Sequence, residues 1–218
     1  MEQLYPGDED YIAHFKAVLP AFKDPRYIRV NGNPLFVIYS PMMVPDMAHF
    51  IELWQQLAAK EGFRIHFVGH TSKVEELPLY RQWGFDATIM VRLFGIFRKG
   101  YTLLERMNAK FQRVAFNQGR RIEYSRAARY FTGPEDREND CYPTLIPNWD
   151  HSPRSGRAGH ILIHSTPEKF EKHAEETFRN VIHKPEEERI VFLKSWNEWA
   201  EGNYMEPDLK FGRGYLEA

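Results

Sequence analysis

The chain has 218 residues, which suits one large domain or two small ones and leaves ample length for a hydrophobic core. Its 43% hydrophobic and 27% charged residues are typical of an ordinary globular protein and exclude disordered and fibrous classes. A formal net charge of -1 gives no overall attraction to nucleic acid or anionic membranes, and the single cysteine, Cys141, excludes an internal disulfide framework and a cysteine-rich zinc site.

The first half of the chain alternates helical spacing with short apolar runs, which is the pattern of an α/β fold. The predicted elements are a helix that follows the acidic residues 8–10, a turn at 31–34, a strand at 35–40, a helix from Met47 to Ala58, a strand at 64–70, a short helix from Val74 to Trp83 and a strand at 85–91. The strand at 35–40 is nearly all apolar, so we expect a parallel sheet that is covered on both faces.

The second half contains two further predicted strands, at 144–149 and 189–196, and a possible third at 160–165. A helix follows the third, with Thr166 as its N-cap and Pro167 as its first residue. Its predicted buried stripe consists of Phe170, Ala174, Phe178, Val181 and Ile182.

The least regular segment is the excursion at about 93–142. Between 98 and 129 it has nine Lys or Arg residues and two Glu residues. Aromatic residues are interleaved with these charges, namely Phe97, Tyr101, Phe111, Phe116, Tyr124 and Tyr130. The segment is either a site for an anionic polymer or lipid-linked phosphate, or a solvated helical excursion whose aromatic residues face the core; the second interpretation is favoured.

The most informative stretch is SWNEWAEGNYMEPD at 195–208, directly after a predicted strand. Residues just past the carboxyl ends of parallel strands line the ligand crevice. Glu198 and Glu201 are three residues apart and can cooperate only if the chain turns, which Gly202 permits. The indoles of Trp196 and Trp199 can keep one carboxylic acid protonated beside an ionised one, as glycosidic bond cleavage requires, and can stack on sugar rings. The alternative is an acidic loop that caps a helix, with both indoles in the core.

A second cluster, IPNWDHSPR at 146–154, also follows a predicted strand. Asp150 and Arg154 can bind sugar hydroxyls or a carboxylate substituent, and Trp149 can serve as a stacking platform. The alternative is an Asx turn at Asp150 with Arg154 paired to it. Tyr39 and His70, at the ends of two earlier strands, are expected to point into the same crevice if the sheet is parallel.

No other chemistry has support in the sequence. His160 and His164 lie about 13 Å apart at strand rise, too far to share a metal ion. The chain has no phosphate-binding glycine-rich loop, nucleotide fingerprint or serine elbow. We therefore predict no metal, no cofactor and no nucleic-acid partner.

Four runs carry a family resemblance: HFKAVLPAFKDPRYIRVNGNPLFVIYSP at 14–41, PNWDHSPR at 147–154, STPEKF at 165–170 and WNEWAEGNYMEPDLKFGRGYLEA at 196–218. They resemble the WbsX-like proteins of bacterial polysaccharide gene clusters, also described as glycoside hydrolase family 99-like. The resemblance implies a (β/α)₈ TIM-barrel-like fold, an oligo- or polysaccharide substrate and a place in lipopolysaccharide or capsule biosynthesis.

The resemblance implies that the catalytic pair of the family 99 endo-α-mannosidases corresponds to Glu198 and Glu201 of this chain. Glu198 is then the base on the sugar 2-hydroxyl, and Glu201 protonates the departing oxygen and later activates water. Asn197, Asn203, Tyr204 and Glu206 are expected to bind substrate, Tyr204 and Glu206 alternatively to support the loop. Ala200 and Asn203 stand where the characterised hydrolases have other residues.

The preferred hypothesis is a carbohydrate-active enzyme that cleaves or transfers an α-linked glycosyl unit of a bacterial surface polysaccharide, possibly lipid-linked. The alternative is a non-catalytic carbohydrate-binding protein with the same Trp-lined cleft. A third hypothesis assigns the segment 98–129 to a lipid-linked anionic glycan at the membrane surface.

The length bears on the fold, because a complete (β/α)₈ barrel needs about 250 residues and eight strands. The sequence predicts five strands, or six with 160–165. We expect residues 1–218 to form a single partial barrel domain with the C-terminal five or so β/α units of a larger one. No signal peptide or apolar run of about 18 residues is present in the sequence, so the chain is expected to be cytoplasmic, without stable membrane insertion.

Overall fold

A computed structural model of the chain describes residues 4–93, 95–96, 101–116 and 119–218. The chain forms two compact units. The first comprises residues up to Met90 with Asn139–Cys141 and Pro185–Glu188, and the second comprises Val91–Glu138, Tyr142–Lys184 and Arg189–Ala218. None of the described helices combines the length and the apolar character needed to cross a bilayer.

The first unit alternates strands and helices as predicted. Its elements are α1 (Asp8–Lys23), β1 (Arg29–Val30), β2 (Asn33–Ile38), α2 (Met47–Lys60), β3 (His66–Thr71), α3 (Leu77–Trp83) and β4 (Ala87–Met90). Strands β2, β3 and β4 are parallel neighbours, and β1 pairs with β2 in antiparallel fashion. The parallel pairing expected from the apolar strands is thus confirmed, whereas β2 is not covered on both faces, because all its residues except Pro34 are only half-buried.

A tight hairpin turn joins β1 to β2. Asn31 has φ 50° and Gly32 has φ 76°. Asn and Gly tolerate positive φ best, and two such residues in sequence match the twist of a hairpin. The predicted turn at 31–34 is therefore confirmed at its first two residues, and the strand begins at Asn33 instead of Leu35.

The core of the first unit is aromatic and centres on Trp54 of α2, which is fully buried. Phe36 of β2 and Phe50 lie against the indole with ring centroids at 4.9 and 4.7 Å. The indole N–H donates to the Tyr11 carbonyl of α1 at 3.1 Å. Both long helices are thereby fixed on the sheet through one side chain.

The second unit contains shorter elements. They are α4 (Leu103–Ala115), β5 (Arg120–Glu123), α5 (Tyr124–Ala128), β6 (Cys141–Leu145, starting at the unit boundary), α6 (Ser152–Ser155), β7 (His160–Ile163), α7 (Pro167–Val181), β8 (Phe192–Leu193), β9 (Asn197–Glu198), β10 (Asn203–Tyr204) and α8 (Gly214–Glu217). Strands β5 and β7 are parallel, as are β6 and β8, whereas β9 and β10 are antiparallel.

Strand boundaries in this unit differ from the sequence prediction. The strand predicted at 144–149 is β6 and ends at Leu145, so the segment through Trp149 is irregular. The strand predicted at 189–196 is reduced to the two residues of β8. The optional strand at 160–165 is confirmed as β7, and its partner β5 was not predicted because its sequence RRIE is largely charged.

Helix α7 begins as predicted, with the Thr166 side chain accepting from the Lys169 backbone N–H. Phe170, Ala174 and Val181 are buried. Phe178 and Ile182 were wrongly expected to be buried and are 50% and 68% exposed. Phe170, Ala174, Phe178 and Ile182 are four residues apart, and each step of four turns the side chain about 40° further around the helix axis. The later side chains therefore point away from the core. His173 and Thr177 fill the buried positions instead.

The described part of the excursion at 93–142 contains helix α4 and strand β5. The expectation that its aromatic residues face the core holds for Tyr124, which is fully buried, and is wrong for Phe111 and Phe116, which are each 62% exposed. Phe97 and Arg98 lie outside the described residues.

Candidate active site

The two glutamates of the NEWAE run lie at the ends of one tight turn. Glu198 is the last residue of β9, and the chain then makes a single 3₁₀ turn over Trp199–Glu201. Gly202 follows with φ 50° and ψ 35°, a left-handed conformation suited to glycine, and its N–H donates to the Trp199 carbonyl at 3.0 Å. Strand β10 returns beside β9. The turn that the sequence required for Glu198 and Glu201 to cooperate is present.

Glu201 is 9% exposed and fully engaged by its neighbours. The Trp149 indole N–H donates to its Oε2 at 3.1 Å, and Arg154 Nη1 lies 2.7 Å from its Oε1. His151 Nε2 is 3.5 Å from the same Oε1. The backbone carbonyl of Glu201 accepts from the Asp150 N–H at 2.7 Å. The PNWDHSPR motif therefore surrounds this carboxylate.

Arg154 lies between the two glutamates. Its Nη2 is 3.6 Å from Glu198 Oε1, whereas its other terminal nitrogen, Nη1, makes the closer contact to Glu201. The predicted alternative for this motif is half correct. Asp150 does form an Asx turn, with its Oδ1 accepting from the Ser152 N–H at 2.9 Å, but Arg154 pairs with the glutamates and not with Asp150.

Trp149 is 2% exposed, and two imidazoles stack with its indole. The His151 ring stacks on it at 5.3 Å and 19°, and the His160 ring at 5.9 Å and 13°. Burial, followed by the positive charge of Arg120, lowers the pKa of His160 to about 4. The His160 ring is therefore neutral at pH 7 and serves as an uncharged wall for the indole.

Backbone hydrogen bonds to β7 explain the position of this stack. The Leu162 N–H donates to the Trp149 carbonyl at 2.8 Å, and the His151 N–H donates to the His160 carbonyl at 3.0 Å. Residues two apart in an extended segment point to the same side, which brings Trp149 and His151 together. Sequence reasoning did not assign His151 or His160 to the site. The period-two spacing from Trp149 is the signal for His151, whereas the His160 contact depends on long-range pairing.

Trp199 forms a second aromatic surface. Its ring stacks on Tyr204 of β10 at 3.8 Å and 14°, and its N–H donates to Glu206 Oε2 at 2.6 Å. The ring is 48% exposed. The Tyr204 hydroxyl donates to Asp208 Oδ2 at 3.1 Å, and burial together with this hydrogen bond raises the pKa of Tyr204 to about 12. A neutral, flat aromatic pair is thereby held beside the turn.

The remaining predicted residues of the turn divide into structural and exposed positions. Asn203 is fully buried, and its amide nitrogen donates to the Asn148 carbonyl at 2.5 Å and to the Lys194 carbonyl at 2.9 Å. It joins the turn to two loops. Trp196 is 51% exposed, and Asn197 is exposed on β9.

A cavity of about 250 Å³ lies beside the turn. Its lining includes Trp149, Asp150, Gly202, Tyr204, Asp208 and Lys210. The mixture of aromatic, acidic and basic groups resembles the lining of sites that bind polar ligands.

Tyr39 and His70 belong to the first unit. Their rings stack at 4.8 Å and 20°, and His70 Nδ1 lies 3.1 Å from the Tyr39 carbonyl oxygen. Tyr39 also lines a separate apolar cavity of about 440 Å³ in that unit, together with Tyr11, His14 and Phe36. Their expected place in the same crevice as the glutamates stays a prediction.

The chain is 28% identical over 222 residues to the uncharacterized protein WxcX from two strains of Xanthomonas campestris pv. campestris, matching all of this chain and 30% of WxcX. It thus spans under a third of the length of those relatives.

Two solved structures of the GH99 endo-alpha-mannosidase from Bacteroides thetaiotaomicron are similar in fold. One matches with a TM-score of 0.56 and 17% identity, over 91% of this chain and 52% of the enzyme chain. The other, a complex with BIS-TRIS-propane, matches with a TM-score of 0.52 and 19% identity, over 94% and 57%. These likenesses confirm the predicted TIM-barrel-like α/β fold class over about half of the enzyme's length.

The family model described as glycosyltransferase WbsX matches residues 1–218, the whole chain. The chain therefore belongs to the glycosyltransferase WbsX family.

Proposed function

We propose that this protein acts on an α-linked glycan, and that Glu198 and Glu201 are its acid–base pair. The observation that carries the proposal is the pair of carboxylates at the two ends of one 3₁₀ turn, both in reach of the same guanidinium, that of Arg154. Two carboxyl groups in different surroundings are the minimum that glycosidic bond chemistry needs.

The surroundings suggest which glutamate has which role. Glu201 is nearly buried, and the Trp149 indole fixes its orientation, as expected of a group that must deliver a proton along one direction. Glu198 has a side chain that is 40% exposed and is open to an incoming sugar. Glu198 would remove the proton of the sugar 2-hydroxyl, whose oxygen then displaces the leaving group at C1. Glu201 would give its proton to the leaving oxygen and afterwards take one from the water that opens the intermediate.

The aromatic pair of Trp199 and Tyr204 supports a carbohydrate substrate. Its half-exposed indole offers a flat apolar face beside the turn, and sugar rings bind such faces through their C–H groups. Glu206 holds the indole in place. An apolar platform next to two carboxylates suits a neutral or hydroxyl-rich ligand.

A second candidate function is glycan binding without catalysis, and the Arg154 contact favours it. The Arg154 guanidinium lies 2.7 Å from Glu201 Oε1 and the Trp149 indole N–H donates to Oε2, so protein groups engage both oxygens of the carboxylate that would have to face the substrate. For catalysis, Arg154 must exchange Glu201 for a group on the substrate, and its 57% side-chain exposure leaves room for this movement.

The natural substrate is proposed to be a bacterial surface polysaccharide, such as O-antigen or capsule, or its lipid-linked precursor. Support comes from membership of the WbsX family and from the structural likeness to a GH99 endo-alpha-mannosidase. Because the chain spans 30% of the length of WxcX, the proposed substrate concerns the site of this chain and not the longer relatives.

The test uses Glu198→Gln and Glu201→Gln with Glu175→Gln as the matched control, since Glu175 is exposed on α7 and pairs with Arg179. Turnover is measured on a panel of α-linked aryl glycosides and glycosyl fluorides. Loss of a general acid or base costs about 10²–10⁴-fold. Both site variants are expected to lose that much, and the control is expected to match the wild type. Retained glycan binding with no turnover by the wild type supports the second candidate instead.

A further inference from the structure

Helix α4 presents an apolar face to solvent. No residue of Leu103–Ala115, all of which the structure describes, is buried. The exposed fractions are 74% for Leu103, 77% for Leu104, 62% for Met107, 62% for Phe111 and 76% for Val114, and Phe116 just after the helix is 62% exposed. With about 100° between successive residues, the five helical side chains fall within an arc of about 100°, which is a continuous stripe.

The helix is attached to the protein through its polar side. Glu105 pairs with Arg126 of α5, and Thr102 forms a capping box with Glu105. Arg126 Nη2 lies 2.9 Å from Glu105 Oε2. An ordinary amphipathic helix packs its apolar stripe inward, and α4 does the reverse. The outward orientation of the stripe is therefore fixed by specific contacts.

The cations of the helix lie along one edge of that stripe. Arg106, Lys110 and Arg113 are all exposed and, from the helical period, lie within about 80° of Leu103 on the side away from Phe111. Arg120 and Arg121 are exposed on the following strand. The helix's own carboxylate, Glu105, is on the opposite side and engaged by Arg126. Apolar stripe and cationic edge are thus adjacent, with no negative charge between them.

We propose that α4 is an interfacial helix that binds the surface of a membrane containing anionic phospholipids. Leu, Met and Phe side chains on one face with Lys and Arg beside them are the composition of helices that lie in the headgroup region, where long cationic side chains reach the phosphates. At 1.5 Å per residue the helix is about 20 Å long and lies parallel to the surface. A second copy of the chain fits less well, because it would bring further cations to the same face.

The membrane contact is independent of the glycan site, because α4 contributes none of the residues described around Glu198 and Glu201. It accounts for an apolar stripe that the described residues leave exposed. Anionic headgroups complement the positive charge of the basic edge, and each cation near the headgroups strengthens binding at low ionic strength.

The test is co-sedimentation of the chain with vesicles of phosphatidylcholine alone and of phosphatidylcholine with phosphatidylglycerol, at low and high NaCl. Binding is expected with the anionic vesicles and is expected to fall at high salt. Leu104→Glu with Phe111→Glu should lower the partition coefficient by at least about tenfold. Ile182→Glu is the matched control, because Ile182 is an apolar residue that directly follows α7 and is 68% exposed. It should leave binding unchanged.

A second variant separates the charge from the apolar stripe. Replacing Arg106, Lys110 and Arg113 by Gln should remove the preference for anionic vesicles while circular dichroism shows an unchanged fold. Equal binding of the wild type to both vesicle types overturns the proposal. So does a loss of binding in Ile182→Glu as large as that in Leu104→Glu with Phe111→Glu. So does a dimer in sedimentation velocity that Phe111→Glu dissociates, since the stripe would then be a contact between copies.

Discussion

The hydrogen bond from Trp149 to Glu201 gives a quantitative prediction about the proposed acid. The indole N–H donates to Oε2 at 3.1 Å from a side chain that is 2% exposed. Trp149→Phe keeps an aromatic ring in contact with the two imidazoles and removes the donor. A hydrogen bond to a charged group contributes about 1.5–3 kcal/mol net. If that contribution positions Glu201 in the transition state, kcat/KM falls by about 10- to 150-fold.

The matched control is Trp199→Phe. The Trp199 indole also donates to a carboxylate, that of Glu206, but its ring is 48% exposed. Because phenylalanine keeps an aromatic face for the proposed sugar contact, loss of the Trp199–Glu206 hydrogen bond alone should change kcat/KM by at most about fivefold, in line with exposed charge contacts.

The assay compares each variant on glycosides with good and poor leaving groups, after urea unfolding has established that both variants are folded at the assay temperature. A misplaced acid slows the poor leaving groups most, because these need the proton. Equal losses in Trp149→Phe and Trp199→Phe, or a loss that does not depend on the leaving group, would refute the positioning role.

Three further predictions concern the same unit. Arg154→Ala should raise kcat if the guanidinium blocks Glu201 Oε1, and should raise KM if it binds substrate; kcat and KM measured separately distinguish these outcomes, and no change in either contradicts both. Gly202→Ala should destabilise the turn by about 1–2 kcal/mol, because φ is 50° and a Cβ there would lie 3.2 Å from Asp150 Cβ; an unchanged urea midpoint would be the contrary result. Burial lowers the pKa of His173 to about 4, so the unfolded chain takes up the proton first as pH falls below 6.5, and stability falls between pH 6.5 and about 4. At pH 5 the free energy of unfolding should be lower by about 2 kcal/mol from this residue, and His173→Gln should remove that part of the pH dependence.

Local signals in the sequence predicted much of the fold. The Asn31–Gly32 turn, the Thr166 cap and the stripe of α2 around Trp54 each depend on residues within one or two turns of the chain. Such features follow from backbone sterics and periodicity alone. The early strands were found for the same reason.

Long-range contacts were not predictable in the same way. β5 has a charged sequence and forms because it pairs with β7. Trp149 and Glu201 are 52 residues apart, and no spacing rule relates them. Trp196 and Trp199 were expected to form the indole walls of the acid pair, but the indole that donates to Glu201 is that of Trp149. Both motifs follow strands, as expected from the sequence, whereas the pairing between them required the fold.

The central claim is that Glu198 and Glu201 carry the chemistry. The most direct measurement is the rate of product formation by Glu201→Gln on two glycosides of the same sugar, one with a leaving group that needs protonation and one with fluoride. If Glu198 and Glu201 carry the chemistry, the loss is expected to be about 10²–10⁴-fold on the first glycoside and much smaller on the second. Wild-type rates on both substrates in Glu201→Gln and in Glu198→Gln would contradict it.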